Sequence, residues 1–187
     1  MSTWKSLLEL SQSIKNEISQ IATQNIEELQ WKSDPKSWSI LEILNHLSLI
    51  YELYADNLDR TIQAAPQPLR KDQAIKYSLL GRLSIFSQRP KNDKRRMKMK
   101  TFDFFQPDYK YCENHEVVKR YLDNKEFFEK LLKEASTRDL AGLKVPTALG
   151  QKVRFYVSEC FDFIFAHELR HLVQINQMLR LHSQISV

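Results

Sequence analysis

Residues 152–178 read KVRFYVSECFDFIFAHELRHLVQINQM. Val153, Tyr156/Val157, Cys160 and Ile164 recur every three to four positions, and the same stripe goes on through His167, His171, Gln174/Ile175 and Met178. That recurrence is one face of an amphipathic helix, so the spacing predicts a long fourth helix over 151–181. Residues 38–54, WSILEILNHLSLIYELY, carry a second such face. There Ser39-Ile40-Leu41-Glu42 has the form of a capping box, in which the serine oxygen accepts from the Glu42 amide and Glu42 reaches back to the Ser39 amide. The helix this opens is predicted to run over 39–65 and to stop before Pro66 and Pro68, whose rings cannot continue it. Its inner face reads Ile43, His46/Leu47, Ile50, Leu53/Tyr54 and Leu58.

Two more stripes complete the pattern. Trp4, Leu7, Leu8, Ile14, Ile18, Ile21, Ile26 and Leu29 predict a first helix over 3–29. Val117, Val118, Tyr121, Leu122, Phe128, Leu131, Leu132 and Ala135 predict a third over 116–135, with Asn114 as a candidate cap. A loop over 136–150 holds Gly142, Pro146 and Gly150. The stretch 66–112 is irregular, with a short helix expected over 72–87. Four amphipathic helices of similar length pack as an all-α four-helix bundle, here with one long connection between the second and third. At 187 residues the chain is expected to be a single domain, 1–187, with 66–112 as an insertion-like connection.

Composition narrows the function. The glycines are Gly81, Gly142 and Gly150. They lie too far apart for a GxGxxG fingerprint or a P-loop, which excludes both dinucleotide and Walker-type phosphate binding. Cys112 and Cys160 make neither a disulfide framework nor a CxxC zinc pattern, and a reducing, cytoplasmic setting is expected. The first twenty residues interleave Lys and Glu with apolar residues and lack the apolar block of a secretory signal. No stretch approaches the ~18 uninterrupted apolar residues of a membrane span. The net charge of +5 resides in residues 91–100, KNDKRRMKMK, which hold six basic residues and one acid.

Three histidines fall on inward faces: His46, His167 and His171. The last two are i and i+4, one turn apart on one side of a helix, the spacing two imidazoles need to share a metal. A third ligand from a facing helix is how bundle-core sites are assembled, and three protein ligands leave positions open for water or substrate. The alternative is that they are satisfied core residues. His115 and His182 fall at helix ends and are expected at the surface. His167-Glu168-Leu169-Arg170-His171 also matches HExxH, the zincin motif with Glu as base. Zincins take a third ligand downstream, and the sixteen residues after His171 contain no Asp or Glu and only His182, so a protease is disfavoured. Gln174, one turn past His171, is a candidate to hydrogen-bond a ligand imidazole or a metal-bound water. Cys160 reads as an inert buried thiol, and Arg170 points about 100° away from His171.

The basic run precedes Phe102, Phe104, Phe105 and Tyr109. It reads either as a solvated loop or as a roof folded over the histidines, where an anionic cofactor would suit it. Base stacking by these aromatics is disfavoured by Asp103 and Asp108, so nucleic acid is not an expected partner.

Residues 38–54, with Trp, a capped helix and then His-Leu, resemble the second-helix signature of the DinB/YfiT-like superfamily. Residues 152–178, with His-x-x-x-His followed by Gln-Ile, resemble its last-helix signature. The resemblance implies a four-helix bundle holding a divalent metal, often zinc or nickel, on three histidines, matched here by His46, His167 and His171. It also implies a metal-dependent enzyme acting on a small-molecule substrate. Thiol S-transferases using a low-molecular-weight thiol are favoured; metal-dependent hydrolases and non-catalytic interaction proteins are the alternatives. Homodimers formed through helix faces are a further expectation. The long, basic, aromatic connection departs from shorter members, so the substrate does not carry over.

Overall fold

The computed structural model describes residues 2–66, 75–92, 94–96, 101–108, 112, 114–140 and 142–185. Pro68, Asp72 at the expected start of the short helix, residues 97–100 of the basic run, and Tyr109 lie outside them.

α1 (Trp4–Ile21) opens on Thr3, whose hydroxyl accepts from the Ser6 amide while the Ser6 hydroxyl accepts from Thr3. Leu7, Ser11, Ile14, Ile18 and Ile21 are its buried stripe. The helix expected over 3–29 does not run through. It ends at Ala22 and restarts as α2 (Ile26–Gln30). The reason is local: the Thr23 hydroxyl donates to the Gln20 carbonyl and the Asn25 side chain accepts from the Glu28 amide. Such side chains offer the backbone an alternative to the helical ladder, and the restart turns Leu29 fully inward.

α3 (Ile40–Gln63) begins at the expected capping box. Ser39 Oγ accepts from the Glu42 amide at 3.2 Å, and Glu42 Oε2 accepts from the Ser39 amide at 2.6 Å. α4 (Leu79–Gln88) is the short helix of the connection, shifted towards the C-terminus from 72–87 because Ser78 caps it. A 3-10 turn (Asp103–Phe105) follows. α5 (Glu116–Ala135) has the predicted bounds, and Asn114 Oδ1 accepts from the Glu116 amide at 2.9 Å.

The largest departure precedes the last helix. β1 (Lys144–Thr147) and β2 (Gly150–Tyr156) form an antiparallel hairpin, pairing Val145 with Phe155 and Pro146 with Arg154. α6 (Val157–Ile185) therefore starts six residues later than the apolar spacing predicts. Val153, Phe155 and Val157 alternate as a strand does, while Val153, Tyr156/Val157 and Cys160 recur as a helix does; pairing with β1 decides between them. Gly150, at φ +101°, supplies the left-handed backbone of the turn.

α1, α3, α5 and α6 pack as the bundle, and α4 lies along α6. The fold is thus mostly helical, with one small sheet. Between the helices runs a buried polar chain. Lys125 of α5 is 0% exposed, and its Nζ lies 2.6 Å from Oε2 of Glu168 on α6, which is 1% exposed. The hydroxyls of Tyr51 and Tyr121 both donate to Glu168 Oε1 at 2.5 Å, and the Lys125 ammonium lies 4.5 Å from the centre of the Phe165 ring.

A second buried carboxylate holds α4 against α6. Glu159 accepts from the amide of Tyr156, at the start of its own helix, and from the amide of Ser78, at the start of α4. Both positions suit a negative charge at a helix N-terminus. Gly81 packs directly on that carboxylate, so a β-carbon there would overlap it. Gly81→Ala is expected to push Glu159 off both amides and cost about 1–3 kcal/mol, the usual range for overpacking. Thermal melts should show it as a drop of several degrees; an unchanged melting temperature would mean that the carboxylate moves aside freely.

Candidate metal centre

α3 and α6 bring the three predicted histidines together. His46 Nε2 lies 3.0 Å from His167 Nε2, which lies 3.2 Å from His171 Nε2. Among the described residues they form the one His/Cys/Asp/Glu group able to hold a metal ion. His46 and His171 are buried, while His167 is partly exposed to the cavity that all three line.

The outer nitrogens are set by the connection. His46 Nδ1 donates to the Phe105 carbonyl at 2.8 Å, and His167 Nδ1 lies 3.2 Å from Gln88 Oε1. A backbone carbonyl only accepts, so Nδ1 of His46 carries the proton and its Nε2 presents a lone pair; with Gln88 accepting through Oε1, His167 takes the same tautomer. Two lone pairs facing each other at 3.0 Å repel unless an electrophile lies between them. Two imidazole nitrogens bound ~2.0–2.1 Å from one ion at 90–110° stand about 2.9–3.4 Å apart. The donor set fits a divalent cation. Trp38 packs over the cluster, its ring centre 5.0 Å from His46 and 6.3 Å, nearly parallel, from His171.

Gln174 lines the same cavity, beside His171. Its carbonyl oxygen is turned to Arg95 Nη1 at 3.2 Å, and His171 Nδ1 is buried without a hydrogen bond. A Gln174 contact opposes, as the smallest influence, the lowering of the His171 imidazole by burial. Glu168 faces the bundle interior, fully engaged by Lys125, Tyr51 and Tyr121. It does not line the cavity, so the HExxH reading has no base. Burial pushes the Cys160 thiol well up and the Cys112 thiol up to about 11, so neither is a ready thiolate. His115 is exposed, as expected of a helix end; His182 is half-buried against Trp31.

Two contributors to the histidine cluster lie outside the helical periodicity. Gln88 and Phe105 come from the connection, where no apolar period points to them; the backbone carbonyl of Phe105 has no side-chain signature at all. Thr101, Phe102, Phe105 and Arg95 line the cavity, so the described part of that segment forms part of its wall. The cavity holds about 630 Å3.

Burial, opposed by the Phe105 hydrogen bond, pushes the His46 imidazole down to about 4. Burial, then the charges of His46 and Arg170, pushes His167 well down; burial, then His167, His46 and Arg170, does the same to His171. Each folded-state value lies below that of the unfolded chain, near 6.5, so the unfolded chain takes up protons first. The metal-free protein therefore keeps its full stability above about pH 6.5 and loses it as the pH falls towards 4. Melts of chelator-treated protein at pH 7.5, 6 and 5 should fall steadily; a flat series would show solvated imidazoles.

Among the described residues no helix is long and apolar enough to cross a membrane. The sequence model of the DinB superfamily matches residues 4–175. No curated protein and no solved structure matches the chain.

Proposed function

The chain belongs to the DinB superfamily, and on that premise we propose that His46, His167 and His171 hold one divalent cation, zinc or nickel, in an enzyme that joins a low-molecular-weight thiol to a small molecule. The observation that carries the metal is the convergence of three imidazole nitrogens, 3.0 and 3.2 Å apart, on the wall of a 630 Å3 cavity. The thiol and the transfer reaction are supported by the resemblance of residues 38–54 and 152–178 to their family signatures.

A bound cation supplies Lewis acidity, lowering the pKa of a thiol or water. The chain supplies the rest. The Phe105 carbonyl and Gln88 orient two of the rings, as the outer partners of metal-ligating histidines do. Trp38, Phe105 and Phe155 make apolar walls that exclude water from the reacting groups. Gln174 stands where it can meet His171 or a ligand once its carbonyl is released from Arg95.

The test is metal content by elemental mass spectrometry on untagged protein, followed by two assays of the loaded and chelated forms. One follows conjugation of a small thiol to an aryl halide; the other follows hydrolysis of an aryl ester. Metal-dependent conjugation supports transfer. Metal-dependent hydrolysis alone replaces it with the hydrolase reading. Absence of bound metal after reconstitution with zinc and nickel returns the histidines to core residues.

A further inference from the structure

Basic side chains share the cavity with the histidines. Lys36, Arg95 and Arg170 line it, with Asp34 as the acid among its described lining residues. Arg170, on α6 next to His171, is 5% exposed. Arg95 comes from the connection, and its hydrogen bond among the described residues is to the Gln174 carbonyl. A guanidinium has five N–H donors, and this bond takes one of them. Both guanidiniums line this one cavity. Like charges lining one cavity repel, and an anion between them turns that repulsion into charge-assisted hydrogen bonds. Aromatic side chains also line the cavity, Trp38, Phe102, Phe155 and Phe163.

We propose that Arg95 and Arg170 are the anion-recognising part of this cavity, and that its substrate is a small organic anion, a carboxylate or phosphate on an apolar, ring-sized body. This rests on reading the cavity as the substrate site. The anionic group is held by the arginines and the apolar body lies along the aromatic wall, which sets the molecule beside the three imidazole nitrogens. Gln174 links the two halves: an anion that draws Arg95 away releases its carbonyl next to His171.

The experiment is calorimetric titration of the full chain, as purified and after chelation, with phenylacetate, phenyl phosphate and the neutral phenylacetamide at pH 7.5. At least one of the two anions is expected to bind about tenfold or more tightly than the amide in both forms, and which one does so identifies the head group. Arg95→Gln, a change at an exposed position, is expected to remove about tenfold of that preference, the size of one charge-assisted hydrogen bond. Arg95→Gln/Arg170→Gln should abolish it, with circular dichroism checking the fold. Equal affinity for anion and amide, or no binding of either, overturns the proposal. So does a preference confined to the metal-loaded form and unchanged by Arg95→Gln, because the anion would then sit on the metal. The chelated arm keeps the inference separate from the metal reading: an arginine-dependent preference stands even in a chain that holds no metal.

Discussion

The His167→Ala/His171→Ala double variant is expected to retain essentially no divalent ion, against about one per chain in the unmodified protein. The two side chains occupy successive turns of α6 and supply two of three convergent nitrogens. His46 alone is a single imidazole and cannot chelate. Because a folded site binds metal and an unfolded chain does so far more weakly, bound metal adds to stability; an ion at about a thousand times its Kd contributes about 4 kcal/mol. For a chain of this size each kcal/mol is worth about 2–4 °C. Chelation should therefore lower the melting temperature of the unmodified protein by about 10 °C and leave the double variant unmoved. His46→Ala keeps the α6 pair and should bind metal weakly, with an intermediate shift on chelation. Equal metal content in all three proteins would place the ion elsewhere.

Breaking the Lys125–Glu168 pair is expected to be the most destabilising single change outside the metal centre. Both side chains are buried, at 2.6 Å, and removing one partner of such a pair strands the other, at about 3–5 kcal/mol. In Glu168→Gln the Lys125 ammonium, already disfavoured by burial, loses the carboxylate that offsets it, and Tyr51 and Tyr121 lose a charged acceptor. In Lys125→Met the carboxylate keeps only the two hydroxyls. Lys125→Met/Glu168→Gln removes both charges, so its cost should be well below the sum of the single changes. Urea denaturation of the four proteins gives this as a coupling energy; additive costs would show that the pair is not coupled. Glu168→Gln, while folded, should keep its metal content, because this carboxylate faces the bundle interior. Loss of metal in folded protein would instead tie Glu168 to the centre.

Lys125 shows how far a sequence pattern reaches. Tyr121, Lys125 and Phe128 follow the i, i+4, i+7 spacing of a buried stripe, so the inward position was legible as a place on α5. A buried ammonium needs a partner, and that partner, Glu168, lies on a helix 43 positions away in the chain. Glu168 is the mirror case. As the second residue of HExxH it reads as a base, yet one step around the helix from His167 is about 100°, enough to carry it out of the cavity and into the interior.

What the sequence determined by itself is what depends on short separations. The cap at Ser39, most of the inner faces of the long helices and the shared face of His167 and His171 follow from spacings of three to four residues, and the structure reproduces them; Leu53, expected inward, is exposed, and the N-cap before Glu116 is His115 rather than Asn114. The tertiary structure alone decided the rest. The segment after Gly150 suits both a helical and an alternating period, and it became a strand because β1 lies beside it. The first helix broke where Asn25 and Thr23 could satisfy the backbone themselves. Gln88 and the Phe105 carbonyl reach the histidines, and Arg95 reaches Gln174 beside them, from the connection. Their places follow from how that connection lies across α3 and α6, an outcome of packing between residues 59 to 79 positions apart, and no local rule encodes separations of that length.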